Sequence, residues 1–148
     1  MADSLRKRIL QNLDDALGAV GLFRVTGLGH LQLKDAELPS ASIIPLEENS
    51  ALMDMGDPGT HENQLTVAVR CIVDDGDILR AQKAGYYLED ALAAAQQAVL
   101  ADRSRGGLAQ TTRLTGVKYL YVDQAHPEAG ADLLLTIEYV SGEKDPSV

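Results

Sequence analysis

The sequence predicts an α+β fold: a mostly antiparallel sheet of four to five strands with two helices packed on one face. Three observations carry that expectation. In residues 64–74, Leu65, Val67, Val69, Cys71 and Val73 recur at period two, so they share one strand face, with Thr66, Ala68 and Arg70 on the other. After Asp75-Gly76-Asp77 the spacing becomes helical, with Ala81, Ala84, Leu88, Ala91, Ala95 and Ala98 recurring every three or four residues. Near the C-terminus two further alternating segments flank a Pro/Gly turn. One apolar strand face and one apolar helix stripe bury each other, which is the core of a two-layer sandwich.

Taken in order, residues 3–20 form the first predicted helix, with Leu5, Ile9, Leu13, Ala16, Leu17 and Val20 on one stripe. Asp3 or Ser4 caps its start and Gly18 or Gly21 its end. Arg6-Lys7-Arg8 reads as a solvated helix face. Phe23 to Thr26 is a short strand, and Leu31 and Leu33 alternate in a second, weaker one. Gly27-Leu28-Gly29 lacks the third glycine and the flanking elements of a dinucleotide fingerprint. Ala41 to Leu46 reads as a strand in which Pro45 removes a backbone donor, so an edge position or a strand end is expected. Glu47 to Asn63 shows no sustained period and reads as a long loop, well beyond the usual connection length. Within it Leu52, Met53 and Met55 have no evident core to join, and exposed Met marks an adaptable contact surface.

The second helix, expected from Ile78 to Leu100, leads into a turn-rich connection, Ala101 to Ala109. Arg103 and Arg105 beside Gly106-Gly107 are too few for an RNA-contacting tract and stand as a secondary contact on a flexible crossover. Thr112 to Asp123 and Ala131 to Val140 alternate as two strands joined at His126 to Gly130, a hairpin. Residues 141–148 are a polar tail expected to fray. Residues 1–148 form a single domain with neither repeat nor second core.

The bulk properties bound the function. A chain of 148 residues with 45% hydrophobic content supports one real core, and 4% aromatics with no Trp make that core aliphatic. No apolar run approaches a membrane span, and the first residues lack a signal peptide's apolar region, so a soluble, unexported chain is expected. Cys71, the only cysteine, lies on the apolar strand face and reads as a small core residue. His30, His61 and His126 show no metal-ligand spacing. Net charge is −9, and residues 34–63 concentrate the acids, which argues against general affinity for nucleic acid. Asp74-Asp75-Gly76-Asp77 lacks the spaced carboxylates of a calcium loop and reads as a strand break and helix cap. No nucleophile elbow, phosphate loop or His–nucleophile arrangement is present.

The order of elements resembles the tail-terminator (tail-completion) proteins of long-tailed bacteriophages and prophages. The residues carrying it are the helix Leu5 to Val20, Leu38 to Pro45, Leu65 to Val69, the helix ending in Ala101-Asp102, Gly106 to Ala109, and the hairpin closing on Ile137 to Tyr139. The resemblance covers nearly the whole chain and implies a structural virion protein with no catalytic residues and no cofactor. It implies a ring, usually of six copies, at the head-proximal end of the tail tube. That ring ends tube polymerisation and presents a joining surface to the head or neck. The implied partners are further copies of the chain, the tail tube protein and the head or neck connector proteins. DNA would pass through the lumen without specific binding, a tolerance that fits the acidic charge. No membrane is involved, and assembly would take place in the bacterial host cytoplasm. A long loop or hairpin serves subunit and tube contacts in this family, which here implicates Glu47, Glu48, Leu52, Met53, Asp54, Met55 and Asp57. Two alternatives stand beside this: another head–tail joining component, and a ferredoxin-like ligand-binding module or enzyme with Arg70, Tyr119 or Tyr121 as polar anchors.

Overall fold

The computed structural model describes residues 3–29, 38–54, 59–74, 84–122, 128–142 and 145–148. Helix α1 (Leu5–Gly18) starts where Ser4, in extended backbone, accepts the Lys7 amide on its side-chain oxygen at 3.1 Å. Its buried residues are Leu5, Ile9, Leu10, Leu13 and Leu17; of the predicted stripe Ala16 and Val20 are only half-buried, and Leu10 joins it. Helix α2 (Ala84–Ala101) buries Leu88, Ala91, Leu92, Ala95 and Val99.

The strands are β1 (Val25–Leu28), β2 (Ser40–Asp54), β3 (Thr60–Asp74), β4 (Thr111–Val122) and β5 (Glu128–Gly142), arranged in one sheet in the order β1-β2-β3-β5-β4. All neighbours are antiparallel except β1 and β2, which run parallel. The α+β class and mostly antiparallel sheet are as predicted. Strand β3 lies at the centre, and its alternating residues Leu65, Val67, Val69, Cys71 and Val73 are buried beneath the helices. They meet Ile137, Leu135, Leu133, Ala131 and Ala129 of β5 across the register. Both helices and this sheet face form one apolar cluster. Truncating a fully enclosed member such as Leu13 or Leu135 to Ala removes about 2–5 kcal/mol from such a core.

Three expectations need correction. The stretch from Glu47 to Asn63 is not a loop: β2 continues to Asp54 and β3 begins at Thr60, so most of it is a β-hairpin. Register shifts between Pro45 and Glu47 and between Leu52 and Asp54 break the alternation, which hides the strand from a periodicity reading. Pairing to β3, itself held on its far side by β5, imposes the extended state. The tail is not frayed. The amide of Leu5 donates to the Pro146 carbonyl at 2.8 Å, Arg8 donates to the Ser147 carbonyl at 2.6 Å, and the Gly142 amide donates to the Val148 carbonyl at 2.8 Å. The returning chain thus satisfies a first-turn amide that a helix leaves open. The short strand begins at Val25 rather than Phe23, and Pro45 sits just past Ile43, the last β2 residue to face β1's Leu28. Proline therefore stands where β2 becomes an edge, as its missing donor requires.

Leu31 and Leu33, Met55, Asp57, the Asp75 to Asp77 turn, the expected helix start before Ala84 and the His126 turn lie outside the described residues.

Candidate functional site

Past Ile43 nothing among the described residues pairs with the outer side of β2. This free edge carries Leu46, Leu52 and Met53, exposed by 54%, 48% and 55%, and thus much of the large apolar surface that the fold leaves in solvent. Strands avoid such edges unless something covers them. The contact residues expected in a loop here stand, from Glu47 to Asp54, on a paired strand instead.

The sequence-derived residues separate into two groups. Glu47 is exposed, and neither an ion pair nor a hydrogen bond engages its side chain among the described residues. Glu48 points the other way. Its carboxylate accepts Arg6 Nε at 3.1 Å, Arg6 Nη2 and the hydroxyl of Tyr139, whose ring is 2% exposed. Hydrogen bonding to Glu48 raises the Arg6 pKa, and burial followed by the Glu48 contact pushes the Tyr139 hydroxyl up to about 12. Glu48 is an internal anchor that fastens the hairpin to α1 and β5. Two residue pairs farther out, Ser50 donates to Asn63 at 2.6 Å, and Asn63 donates to the Ser141 hydroxyl at 2.8 Å. The side chain of Asp54 lies outside the described residues.

Arg103 and Arg105 also part ways. Arg103 is exposed, and its guanidinium reaches the Thr112 carbonyl at 3.3 Å while the Thr112 hydroxyl donates to the Arg103 carbonyl at 2.8 Å. Arg105 is fully buried and donates through Nη2 to the carbonyls of Val99 and Asp102, capping the end of α2. It cannot serve as a surface contact. Its backbone stands at φ +52°, followed by Gly106 at +70° and Gly107 at +86°. The left-handed run curls the chain around Asp102, whose carboxylate accepts the Ser104 amide at 3.1 Å, the Ser104 hydroxyl at 2.6 Å and the Gly106 amide at 2.7 Å. Those bonds, the Ser104 contact foremost, hold Asp102 below the usual carboxylate range. The expected flexible crossover is a tied loop.

Arg70 and Tyr119 do not line one pocket. Arg70 sits on the sheet face away from the helices, paired to Asp132 at 2.9 and 3.1 Å. Tyr119 aligns with Ala131 of the core face and donates to Glu89 of α2. The side chain of Tyr121 lies outside the described residues. Burial pushes the Cys71 thiol up to about 12, so it stays protonated and unreactive. A shallow groove of about 500 Å³ runs between the helices, walled by Ala16, Ala19, Val20, Ala94, Gln97 and Ala98, and offers no ionisable group. Among the described residues no group of three His, Cys, Asp or Glu is placed to hold a metal, and no helix is long and apolar enough to cross a membrane.

The open edge thus combines paired, extended backbone with the exposed side chains of Leu46, Leu52 and Met53 and with Glu47, an acid without a partner among the described residues. No protein-family model matches the chain, and no curated protein matches it. Among solved structures it is similar to a chain described as "Virion of native gene transfer agent (GTA) particle", at 18% sequence identity and a TM-score of 0.43, over 93% of this chain and 96% of that one.

Proposed function

We propose that the chain is a non-enzymatic structural subunit of a phage-type virion, assembling as a ring of six copies at the head-proximal end of the tail tube. There the ring ends tube polymerisation and offers the surface that the head or neck connector meets, while DNA passes through its lumen without specific binding. It needs no cofactor, and its partners are its own copies, the tube protein and the connector. The observation that carries the reading is the free β2 edge past Ile43, with Leu46, Leu52 and Met53 held outward on a hairpin fastened by Glu48. The sequence resemblance supplies the kind of assembly, and the observed order α1, β1 to β3, α2, β4 and β5 keeps the elements on which that resemblance rests.

The test is imaging of the purified protein with and without tail tubes, alongside light scattering over a concentration series. Binding confined to one end of each tube is expected. Failure to bind tube ends under any condition sinks the reading, whereas a monomer in free solution does not, since such a ring can form on the tube alone. Binding to the connector but not to the tube would instead identify another head–tail joining component.

A further inference from the structure

Among the described residues two long stretches of strand lack an outer partner, and they are unlike. The outer side of β4 has none along its twelve residues, and β4 carries Arg113 and Lys118 with no acid. The free part of β2, Ile44 to Asp54, carries Glu47, Glu48 and Asp54 with no base. Exposed apolar residues stand at both: Leu46, Leu52 and Met53 on β2, Val117 and Tyr119 on β4. We propose that copies of this chain join edge to edge, β4 of one copy pairing antiparallel with β2 of the next so that Lys118 faces Glu47. This rests on the self-assembly part of the ring reading and is independent of the tube.

Strand directions permit it. Successive antiparallel pairings from β2 through β3 and β5 to β4 leave β4 running opposite to β2. A copy set alongside in the same orientation therefore presents an antiparallel partner and keeps its helices on the same face. Charge favours this mode over the two-fold alternatives: Arg6 engages Glu48 and Glu138 engages Arg113, so among the described side chains Glu47 is the acid left on β2 and Lys118 the base left on β4, unlike across this seam and alike across a β2–β2 or β4–β4 one. The contact is thus head to tail, the kind that generates rings or filaments.

Register follows from two constraints. Residues directly opposite share a sheet face, so the neighbour can shift only by an even number of rows. Ile44, Ala68, Leu134 and Gly116 lie in one row. With no shift, the β4 residues from Val117 onward would run into the place that β1 holds beside Ser40 to Ile43. A shift of two rows leaves most of that clash. A shift of four rows brings Tyr121 level with Ile44 and clears all but the last residue of β4. In that register Glu47, which aligns with Thr66, falls opposite Lys118, which aligns with Asp132, both on the face away from the helices. Glu47 and Lys118 are also acid and base with no side-chain partner among the described residues. Four rows amount to roughly 13 Å along the strand against a repeat of roughly 19 Å across four strands. The strands would then tilt about 35° from the ring axis, within the range at which sheets close on themselves.

The test pairs cysteines across the proposed seam. Under oxidation, Glu47→Cys with Lys118→Cys in one chain should give a covalent ladder on a non-reducing gel, which the buried Cys71 does not contribute to. Either single variant should give no ladder above dimer, and a control shifted by two rows, Glu47→Cys with Gly116→Cys, should give far less. Independently, Glu47→Lys and Lys118→Glu should each weaken association about tenfold, and the double reversal should restore it to within about threefold of the parent. Absence of the ladder, an equal ladder in the shifted control, or reversals without effect overturns the proposal. Tube-end rings that form without the ladder would reject the edge pairing alone, whereas a ladder without tube binding would reject the ring-on-tube reading alone.

Discussion

The hairpin Glu47 to Asn63 and the crossover Asp102 to Gln110 look alike in sequence, both polar, glycine-bearing and without apolar period. In the fold they are opposites. The crossover turns its polar groups inward: Arg105 is buried against the end of α2, and Asp102 gathers two amides and a hydroxyl. The hairpin fixes its backbone through strand pairing, keeps one anchor inside at Glu48 and leaves Leu52 and Met53 in solvent. The difference teaches that polar composition does not report mobility. What matters is whether polar groups are consumed within the chain or whether a strand ladder frees the side chains for other use.

Substitution should separate the two segments, most strongly in the crossover. Arg105→Ala empties a fully buried site and uncaps two carbonyls, so a loss of about 2–4 kcal/mol is expected in denaturant unfolding. An unchanged midpoint would mean that the α2 end is capped otherwise. At the hairpin anchor, Glu48→Ala leaves the buried Tyr139 hydroxyl without its acceptor and should cost about 1–3 kcal/mol. The same anchor gives an alkaline limit. Tyr139 is raised from an ordinary 10 to about 12 and Cys71 from 9 to about 12, so above the ordinary values the folded state holds protons that the unfolded chain has released. Stability should therefore be complete below about pH 9 and fall towards pH 12, by up to about 1.4 kcal/mol per pH unit for each group. Cys71→Ala should delay the onset from about pH 9 to about pH 10, as read by thermal melting at fixed salt. The smallest effect belongs to the outward residues: Leu52→Ser and Met53→Ser should move stability by no more than about 0.5 kcal/mol. Under the proposed function they should nonetheless reduce binding to tube ends in the imaging assay.

The legible parts were those where one physical signal dominates. Leu65 to Val73 and the Leu88 to Ala95 stripe turn their apolar residues mainly to the helix–sheet core, with Ala68 alone of the opposite β3 face also buried, so their periods survive in the sequence. The parallel pairing of β1 with β2 was not legible, since Val25 to Leu28 is too short to show a period and its partner is chosen by tertiary geometry. The hairpin was hidden by its register shifts and by an outer edge that needs no apolar alternation. Arg105 carried one available hint, its place at the end of a predicted helix before two glycines, where a cation suits the helix dipole. Glu47 and Glu48 part because strand neighbours alternate, and the bulge just before them sets which one turns inward, which no composition reveals.

Strand β5 lies between β3 and β4 although both precede it in the chain. Its pairing with β3 joins residues as distant as Thr60 and Gly142, so the middle of the sheet closes by long-range contacts that cost the most chain entropy. During synthesis β3 and β4 both wait with an edge exposed until β5 emerges to fill the gap between them. The window in which a nascent copy can pair wrongly with another is therefore set by the arrival of its last strand, and slowing translation through residues 128–142 should raise aggregation more than slowing it through α2.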